Sequence, residues 1–240
     1  MSDLYKILIL SFATGAMILL PLLLLIYLLI KRDRRALVLG LFSYLIFSVI
    51  GRNLLIHLVF YLDFLKVFME KNILAYSLFL SLLSLFFIFL GRFIFIKRFD
   101  IKDELAFSSG ETVLHLLYLG IPTLVVALVY MAFSYTQSFF YLGIPSEIFS
   151  SFTKILNANS LSYLPYLAYP FWLFFLNYFS YRLFSSEKTS KRLLSIALYF
   201  FFFFFHFLTY SLELYLVNTG SFLLLTLVSL VFFFRKNKNK

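Results

Sequence analysis

Long apolar runs alternate with short polar segments from one end of the chain to the other. Seven of these runs approach or exceed the roughly 20 residues that a helix needs to cross a hydrocarbon core of about 30 Å. Each run predicts a helix, because inside a bilayer only helices and closed barrels satisfy their own backbone hydrogen bonds. The predicted spans are Tyr5 to Ile30, Ala36 to Leu62, Ile73 to Ile96, Leu105 to Phe133, Leu161 to Phe184, Leu193 to Val217 and Ser221 to Phe234. The boundary between the last two is placed at Asn218-Thr219-Gly220. The segment from Ser134 to Ser160 is apolar enough to lie at the membrane as an interfacial or re-entrant piece.

The composition leaves no room for a soluble domain. Hydrophobic residues make up 62% of the 240 residues and charged residues 13%, with a mean hydropathy of +0.96, which lies outside the range of soluble globular domains. We therefore expect residues 1–240 to form a single all-α transmembrane domain, a bundle of about seven helices. The first run exceeds a signal-peptide core of about 7–15 residues and has no basic leader, so it predicts a retained span. The absence of cysteine excludes disulfides and thiolate chemistry.

Positive charge is shared unevenly between the two sides of the predicted bundle. The segments KRDRR, KRFDIKDE, SSEKTSKR and RKNKNK hold 14 Lys and Arg residues, whereas the alternate loops and the N-terminus hold 4. Because basic loops are retained in the cytoplasm, the N-terminus is expected outside and the C-terminus inside, which requires an odd number of spans. The net charge of +10 then indicates a surface facing anionic lipid, and we expect no nucleic-acid partner. The expected location is the plasma membrane, in a bacterium the inner or cytoplasmic membrane.

A few polar and ionisable side chains interrupt the spans. They are the candidate functional residues, because such groups cost several kcal/mol in hydrocarbon unless they are paired or hydrated. The set comprises Arg52, His57, Arg92, Glu111, His115, Asn177, Arg182, His206 and Glu213. The rise along each helix predicts two groups by depth from the cytoplasmic end. The inner cluster, at about 6–20 Å, comprises Arg92, Glu111, His115 and His206, and the outer cluster, at about 24–32 Å, comprises Arg52, His57 and Glu213. Asn177 is a further candidate for a structural or binding polar core.

Glu111 and His115 stand four residues apart, so both side chains project from one face of the fourth span. This spacing allows a carboxylate and an imidazole to address one water molecule or one metal ion. The competing interpretation is structural. In it, Glu111 pairs with Arg92 and fixes the fourth span to the third, and His115 is a hydrogen-bonded interior residue. We expect no bound metal and no cofactor, and the catalytic and structural interpretations both stay open at this point.

Four stretches carry a family resemblance that extends loosely over most of the chain. They are LGLFSYLIFSVIGRNLLIHLVF in the second span, LGRFIFIKRF at the end of the third, AFSSGETVLHLLYLG at the start of the fourth and FHFLTYSLELYL in the sixth. Together they resemble the YhfC-like family of glutamic-type intramembrane proteases, part of the group of CAAX-processing and bacteriocin-immunity proteases. The resemblance places Gly91 and Arg92 on the Gly-Arg of the family's E-E-x-G-R motif. It places Gly110 on the first glycine of the G-H-G-G-x-E motif and His206 on the late histidine.

The chain departs from that family at the positions that catalysis needs. Ile88 and Phe89 occupy the two glutamate positions of the first motif, so the water-activating carboxylates that the resemblance implies are missing. In the second motif, Glu111 stands where the resemblance implies a histidine and His115 where it implies a glutamate. Peptide hydrolysis needs a base and a group that stabilises the oxyanion, and Glu111 alone would have to supply the base. The pattern therefore favours a degenerate member, a pseudoenzyme, over an active protease.

Three classes of function follow. The favoured class is a non-catalytic scaffold, immunity or binding protein whose partners are membrane lipid and a transmembrane protein or peptide. The second is an active intramembrane protease that uses Glu111, His115 and His206. The third is a transporter or permease subunit, against which stands the lack of an internal repeat and of paired helices broken by glycine or proline.

Overall fold

A computed structural model describes residues 2–136 and 160–237, and the regular structure in these ranges is helical. The elements are α1 (Ser2–Lys31), α2 (Arg34–Ser43), a π-helical segment (Tyr44–Gly51), α3 (Arg52–Phe60), α4 (Asp63–Lys71), α5 (Ile73–Phe99), α6 (Glu104–Thr136), a 3-10 turn (Ser160–Tyr163), α7 (Pro165–Phe184), α8 (Thr189–Ser211) and α9 (Tyr215–Asn237). The predicted interfacial piece falls mainly on residues 137–159, outside the described residues.

Four helical stretches are long and apolar enough to cross a membrane: Leu8–Lys31, Arg34–Phe60, Ile73–Phe99 and Thr189–Ser211. A shorter apolar stretch, Tyr215–Leu230, lies in α9. The outer faces of these helices present large apolar side chains such as Phe12, Leu23 and Ile30, each more than half exposed. Helices that are apolar on the outside face lipid, so the described structure is consistent with the predicted all-α membrane protein.

Polar side chains mark the ends of the helices where the sequence predicts breaks. The Asp33 carboxylate accepts from the Arg35 amide at the start of α2, and the Asn72 side chain accepts from the Ala75 amide at the start of α5. These are N-caps, which satisfy amides that have no partner within the helix. Asp100 ends α5 in a left-handed conformation with φ of 45°.

The connections that carry the basic segments lie together at one end of the bundle. The Asp33 amide, between α1 and α2, donates to Oδ2 of Asp103, between α5 and α6, at 3.4 Å. The Ser185 hydroxyl, after α7, donates to Oε1 of Glu104 at 2.9 Å. Three of the four basic segments therefore share one face, as the charge pattern predicts.

The helices α6 and α7 form the interior of the bundle. α6 packs against α1, α2 and α7, and α7 also packs against α1, α8 and α9, while α5 packs against α8. α6 and α7 bury many polar side chains, including Glu111, Thr112 and Asn177. The polar side chains of α6 and α7 are thus shielded from lipid by the surrounding helices, which is the arrangement expected of a membrane-embedded bundle.

α2 crosses α6 at two glycines. A Cβ on Gly40 would collide with the carbonyl oxygen of Phe107, and a Cβ on Gly110 would collide with the carbonyl oxygen of Leu37. Both obstacles are backbone atoms, which cannot swing aside as the end of a side chain can. Only glycine therefore permits this close approach, which holds the first turns of α6 against α2.

The second predicted span is one run of helix whose hydrogen bonding changes in the middle. In the π-helical segment between α2 and α3, the Arg52 amide donates to the carbonyl oxygen of Phe47, five residues earlier. Such segments are rare and are often found at functional sites. The chain then forms α4, which the sequence pattern did not predict as a separate helix and whose Phe64 and Phe68 are exposed.

The boundary between α8 and α9 lies earlier than predicted. α8 ends at Ser211, and Glu213 adopts a left-handed conformation with φ of 58°. The Leu214 amide donates to the carbonyl oxygen of Thr209 at 2.8 Å, which is the six-to-one bond of a Schellman C-cap. The predicted boundary at Asn218-Thr219-Gly220 is therefore wrong. A glutamate takes the capping position that a glycine usually marks in a sequence.

Candidate functional site

A buried salt bridge between α5 and α6 is the centre of the candidate site. Nη2 of Arg92 lies 2.7 Å and Nε lies 2.9 Å from Oε2 of Glu111. The arginine side chain is 0% exposed and the glutamate side chain 3%. The predicted pairing of these two residues is confirmed. One positive and one negative charge neutralise each other away from lipid, which joins the third and fourth predicted spans.

Three further oxygen atoms surround the Arg92 guanidinium. Nη1 donates to the hydroxyl of Ser180 at 2.9 Å, and Nη2 donates to Oδ1 of Asn177 at 3.2 Å and to the hydroxyl of Tyr199 at 3.0 Å. We call Arg92, Glu111, Asn177, Ser180 and Tyr199 the Arg92 network. It joins α5, α6, α7 and α8, one more helix than the third, fourth and sixth spans that hold the predicted inner cluster.

A second layer of hydrogen bonds holds the partners of Arg92 in place. Nδ2 of Asn177 donates to the Thr112 hydroxyl at 2.7 Å. The Ser195 hydroxyl donates to the backbone carbonyl oxygen of Ser180 at 2.8 Å, and the two serine hydroxyl oxygens lie 2.7 Å apart. Because Ser195 uses its proton on the carbonyl, Ser180 donates to Ser195 and accepts from the arginine. The arginine is therefore held by side chains whose own orientation is fixed.

His115 shares a helix face with Glu111 but contacts different groups. Its Nε2 lies 3.2 Å from the hydroxyl of Tyr169. Its ring stacks on Tyr44 of the π-helical segment at 4.8 Å between centroids and on Phe203 at 6.3 Å. The predicted common face is present, yet the carboxylate is bonded to Arg92 and the imidazole lies in an aromatic environment. The two side chains do not form one acid–base pair.

His206 is bonded to α9. Its Nδ1 lies 3.0 Å from Nδ2 of Asn218, and its ring centroid lies 5.4 Å from that of Tyr169. Tyr169 therefore contacts both histidines of the predicted inner cluster. All four members of that cluster are buried. Arg92 bonds to Glu111, whereas the two histidines contact Tyr169.

The predicted outer cluster does not form among the described side chains. Nη1 of Arg52 donates to the Ser84 hydroxyl at 3.3 Å, and the guanidinium carbon lies 5.8 Å from the ring centroid of Tyr118. His57 is exposed on α3, and Glu213 is exposed at the C-cap of α8. Arg52 is bonded to groups on α5 and α6, whereas the other two side chains are exposed, and α3 is not among the described helices that pack against α8. The prediction that these three residues gather in one cluster is therefore wrong.

The positions that the resemblance would fill with glutamates hold packed apolar side chains. Ile88 and Phe89 are both buried in the largest apolar cluster of the bundle. The Phe89 ring lies 5.5 Å from the guanidinium carbon of Arg92 and 5.5 Å from the ring centroid of Tyr199. Hydrocarbon thus covers the side of the network where a water-activating carboxylate would stand.

Arg92, Glu111, His115 and His206 are buried inside the bundle. One cavity with apolar walls includes Thr112 in its lining, and another with charged walls lies at the basic end of the bundle, beside Asp33, Arg98 and Lys102. Glu111 and the two buried histidines line neither cavity. Among the side chains that the structure describes, no group of three or more His, Asp or Glu is placed to hold a metal ion.

Several members of the site carry no strong sequence signal. Serine, threonine and tyrosine occur throughout the spans, and a hydroxyl can bond to the carbonyl oxygen of its own helix at little cost. The hydroxyls of Ser180, Tyr199 and Tyr169 therefore did not stand out, although Ser180 follows Asn177 by three residues on the same face of α7.

The geometry fits helix assembly better than proton transfer. A general base must direct a lone pair at water or substrate, and Oε2 of Glu111 already accepts two bonds from Arg92.

Comparison of the chain with models of protein families, with curated proteins and with solved structures found no match.

Proposed function

We propose that this multi-pass membrane protein is a degenerate relative of the YhfC-like intramembrane proteases that cleaves no peptide. Its role is that of a scaffold, immunity or binding protein for another component of the membrane. The observation that supports this proposal most directly is the salt bridge of Glu111 with Arg92, buried at 2.7 Å. The carboxylate that a protease would need as its base is used to join two helices.

The surroundings of the salt bridge give further support. A catalytic base has to reach the proton that it removes across about 2.6–3.2 Å. Water at Oε2 of Glu111 would have to compete with Arg92, and Phe89 packs on the guanidinium. His115 is bonded to Tyr169 and stacked between rings, so it is not placed to pass a proton to or from Glu111.

The link to the protease family rests on packing positions. A Cβ on Gly91 would lie 2.8 Å from Oγ of Ser43, and Gly110 lies against the backbone of α2. Both glycines therefore serve the close approach of helices, and Arg92 follows at the centre of the polar core. A protein that had lost catalysis would still need these residues for its fold.

The proposal includes seven spans with the N-terminus outside and the C-terminus in the cytoplasm. The spans correspond to α1, to α2 with the π-helical segment and α3, to α5, and to each of α6, α7, α8 and α9. The shared end of the basic connections supports this arrangement. A reporter fused after Lys240 should be active in the cytoplasm, and one inserted near Asn159 should be active outside. An external C-terminal reporter would contradict the seven-span arrangement.

The catalytic alternative is tested with purified protein in lipid vesicles and a panel of membrane-anchored peptides. Wild type, Glu111→Gln and His115→Ala are compared, with Glu104→Gln on the same helix as the control. We expect no cleavage by any of the four proteins and a loss of stability in Glu111→Gln alone among the two glutamate variants. Cleavage by wild type and Glu104→Gln that is lost in the other two would establish a protease and overturn the proposal.

A further inference from the structure

A cavity of about 260 Å³ lies between α1 and α9 on the side of the bundle. Leu20 of α1 and Leu230 of α9 line its two sides, and Leu116 of α6 and Phe174 of α7 line its back wall. Phe171, which is 47% exposed, lies at its rim and connects it with the outer surface. We propose that this membrane-facing cavity binds the acyl chain of an anionic phospholipid.

The lining calls for an apolar occupant. Its only side-chain hydroxyls belong to Thr112 and Thr226, and each donates to a backbone carbonyl oxygen of its own helix, at 2.9 Å and 2.7 Å. A buried water needs two to four polar partners, and an apolar cavity of about 150 Å³ in another protein stays dry and takes up benzene. The larger cavity here, with apolar walls, is suited to hydrocarbon.

The depth of the cavity matches the acyl region of one leaflet. Leu24 and Leu20 precede Lys31 by 7 and 11 residues on α1, which is about 10–16 Å along the helix axis. Thr226 precedes Arg235 on α9 by 9 residues, or about 14 Å. Half of a hydrocarbon core is about 15 Å thick. The cavity therefore extends from the middle of the acyl chains of this leaflet to the centre of the bilayer.

The charges at the nearby membrane surface select the headgroup. α1 ends in the segment KRDRR, whose four basic residues are exposed, and α9 ends with Arg235 and Lys236 in its last turn. Asp33, the one acid of the first segment, accepts from the Arg35 amide. A lipid whose chain lies between α1 and α9 thus places its phosphate between two basic segments, which favours an anionic headgroup.

Two prolines explain why the helices separate here. Pro21 of α1 and Pro170 of α7 both line the cavity. Proline lacks an amide donor, and its ring displaces the preceding turn of helix. The size of the gap also decides between possible occupants. A helix with its side chains is about 10 Å across, so the transmembrane segment of a partner protein could insert little more than a side chain.

The cavity adjoins the Arg92 network through one hydrogen bond. Thr112 lines the cavity and accepts from Asn177, which in turn accepts from Arg92. A bound acyl chain therefore packs against a residue that orients the polar interior. The lipid site does not depend on whether that interior is catalytic.

Photo-labelling with a lipid analogue tests the proposal. The full chain is reconstituted in vesicles of phosphatidylglycerol and phosphatidylcholine. A trace of the phosphatidylglycerol carries a photoreactive diazirine in the distal half of one acyl chain. After illumination, the labelled residues are mapped by mass spectrometry. Leu24→Trp and Leu230→Trp fill the cavity from opposite sides. Leu23→Trp and Leu227→Trp, at positions 63% and 61% exposed, are the matched controls.

We expect labels to concentrate on the cavity-lining residues of wild type and both controls. Each filling variant should lower this labelling about tenfold, because the indole occupies the space that the acyl chain would fill; a tenfold change corresponds to about 1.4 kcal/mol in the free energy of binding. Even labelling of all lipid-facing positions, or equal labelling of filling and control variants, would overturn the proposal. Equal labelling by a phosphatidylcholine analogue would overturn the assignment to an anionic lipid, and replacement of lipid labels by links to a second polypeptide would identify a protein occupant instead. Wild type measured with the two analogues decides the question even if a filling variant fails to fold.

Discussion

Removal of one partner from the buried salt bridge should destabilise the protein more than removal of both. The variants are Glu111→Gln, Arg92→Met and the double variant. In either single variant a group remains inside the bundle without the partner that neutralised it or satisfied its hydrogen bonds. In the double variant no ionised group remains in the interior at this point. The comparison thus separates the value of the pair from the cost of leaving one member alone.

The contacts set the order of the effects. Loss of one partner of a buried ion pair costs about 3–5 kcal/mol. Glu111→Gln should cost about 3 kcal/mol, since the amide oxygen still accepts one bond from the arginine. Arg92→Met should cost about 4 kcal/mol, because Ser180, Asn177 and Tyr199 lose a charged donor as well. The double variant should lose only about 1–2 kcal/mol, less than either single variant and far from the additive value of about 7 kcal/mol.

Unfolding in mixed micelles of detergent and SDS measures these differences. Trp172 is the single tryptophan of the chain, and its ring centroid lies 6.0 Å from that of Phe202, so its fluorescence reports the separation of α7 from α8. Arg98→Met, an exposed arginine on the same helix as Arg92, is the control and should change the free energy of unfolding by less than about 0.5 kcal/mol. Additive losses in the double variant, or single variants as stable as the control, would refute the reasoning.

Three further predictions use the same unfolding assay. Gly40→Ala should destabilise the protein by at least about 1–3 kcal/mol, because the added Cβ collides with the backbone of α6. Gly220→Ala, with open space around it, should be neutral or should stabilise the protein by up to about 1 kcal/mol. Equal effects of the two substitutions would contradict the close packing of α2 on α6. Asn177→Leu should cost about 2 kcal/mol, because the guanidinium loses an acceptor and the α6 threonine loses a donor; a neutral result would place the amide outside the network. Tyr169→Phe should cost about 1 kcal/mol through the lost bond to its histidine partner, while Tyr61→Phe, at a residue 86% exposed, should have no effect.

The pairing of Arg92 with Glu111 was predictable because charge in hydrocarbon is costly. Two opposite charges at similar depth on consecutive helices are expected to form an ion pair, because pairing lowers the cost of keeping each charge in hydrocarbon. The hydroxyl and amide groups that complete the network have no such requirement, since each can bond within its own helix. The bonds of Ser180 and Tyr199 to Arg92 could therefore not be predicted from the sequence. Asn177 was predicted as part of a polar core, but its bonding partners were not.

Depth along an axis does not determine direction around it. Arg52, His57 and Glu213 were grouped because counting residues placed them at one level. The π-helical segment before Arg52 changes the rotation of α3, and the left-handed Glu213 ends α8 before the predicted boundary. The turn at Glu213 has no glycine or proline to mark it in the sequence, and the single Gly51 at the end of the π-helical segment does not distinguish a π-helix from an α-helix. Among the described residues, the approximate positions of the long helices followed from apolar run length, which such local features leave unchanged.

The connection between α5 and α6 has a consequence for membrane insertion. Only residues 100–103 separate the two helices, and Arg92 precedes Glu111 by 19 residues. A chain that is inserted N-terminus first delivers the arginine first. Before the bundle forms, the long arginine side chain can extend toward the membrane surface, as arginines near helix ends do. The glutamate follows on the next helix, so its carboxylate is available to neutralise the arginine before α7 exists. The acceptors on α7 and α8 lie 85 to 107 residues further along the chain than Arg92. They are inserted after the ion pair can form, so their role is to fix its orientation and not to neutralise its charge.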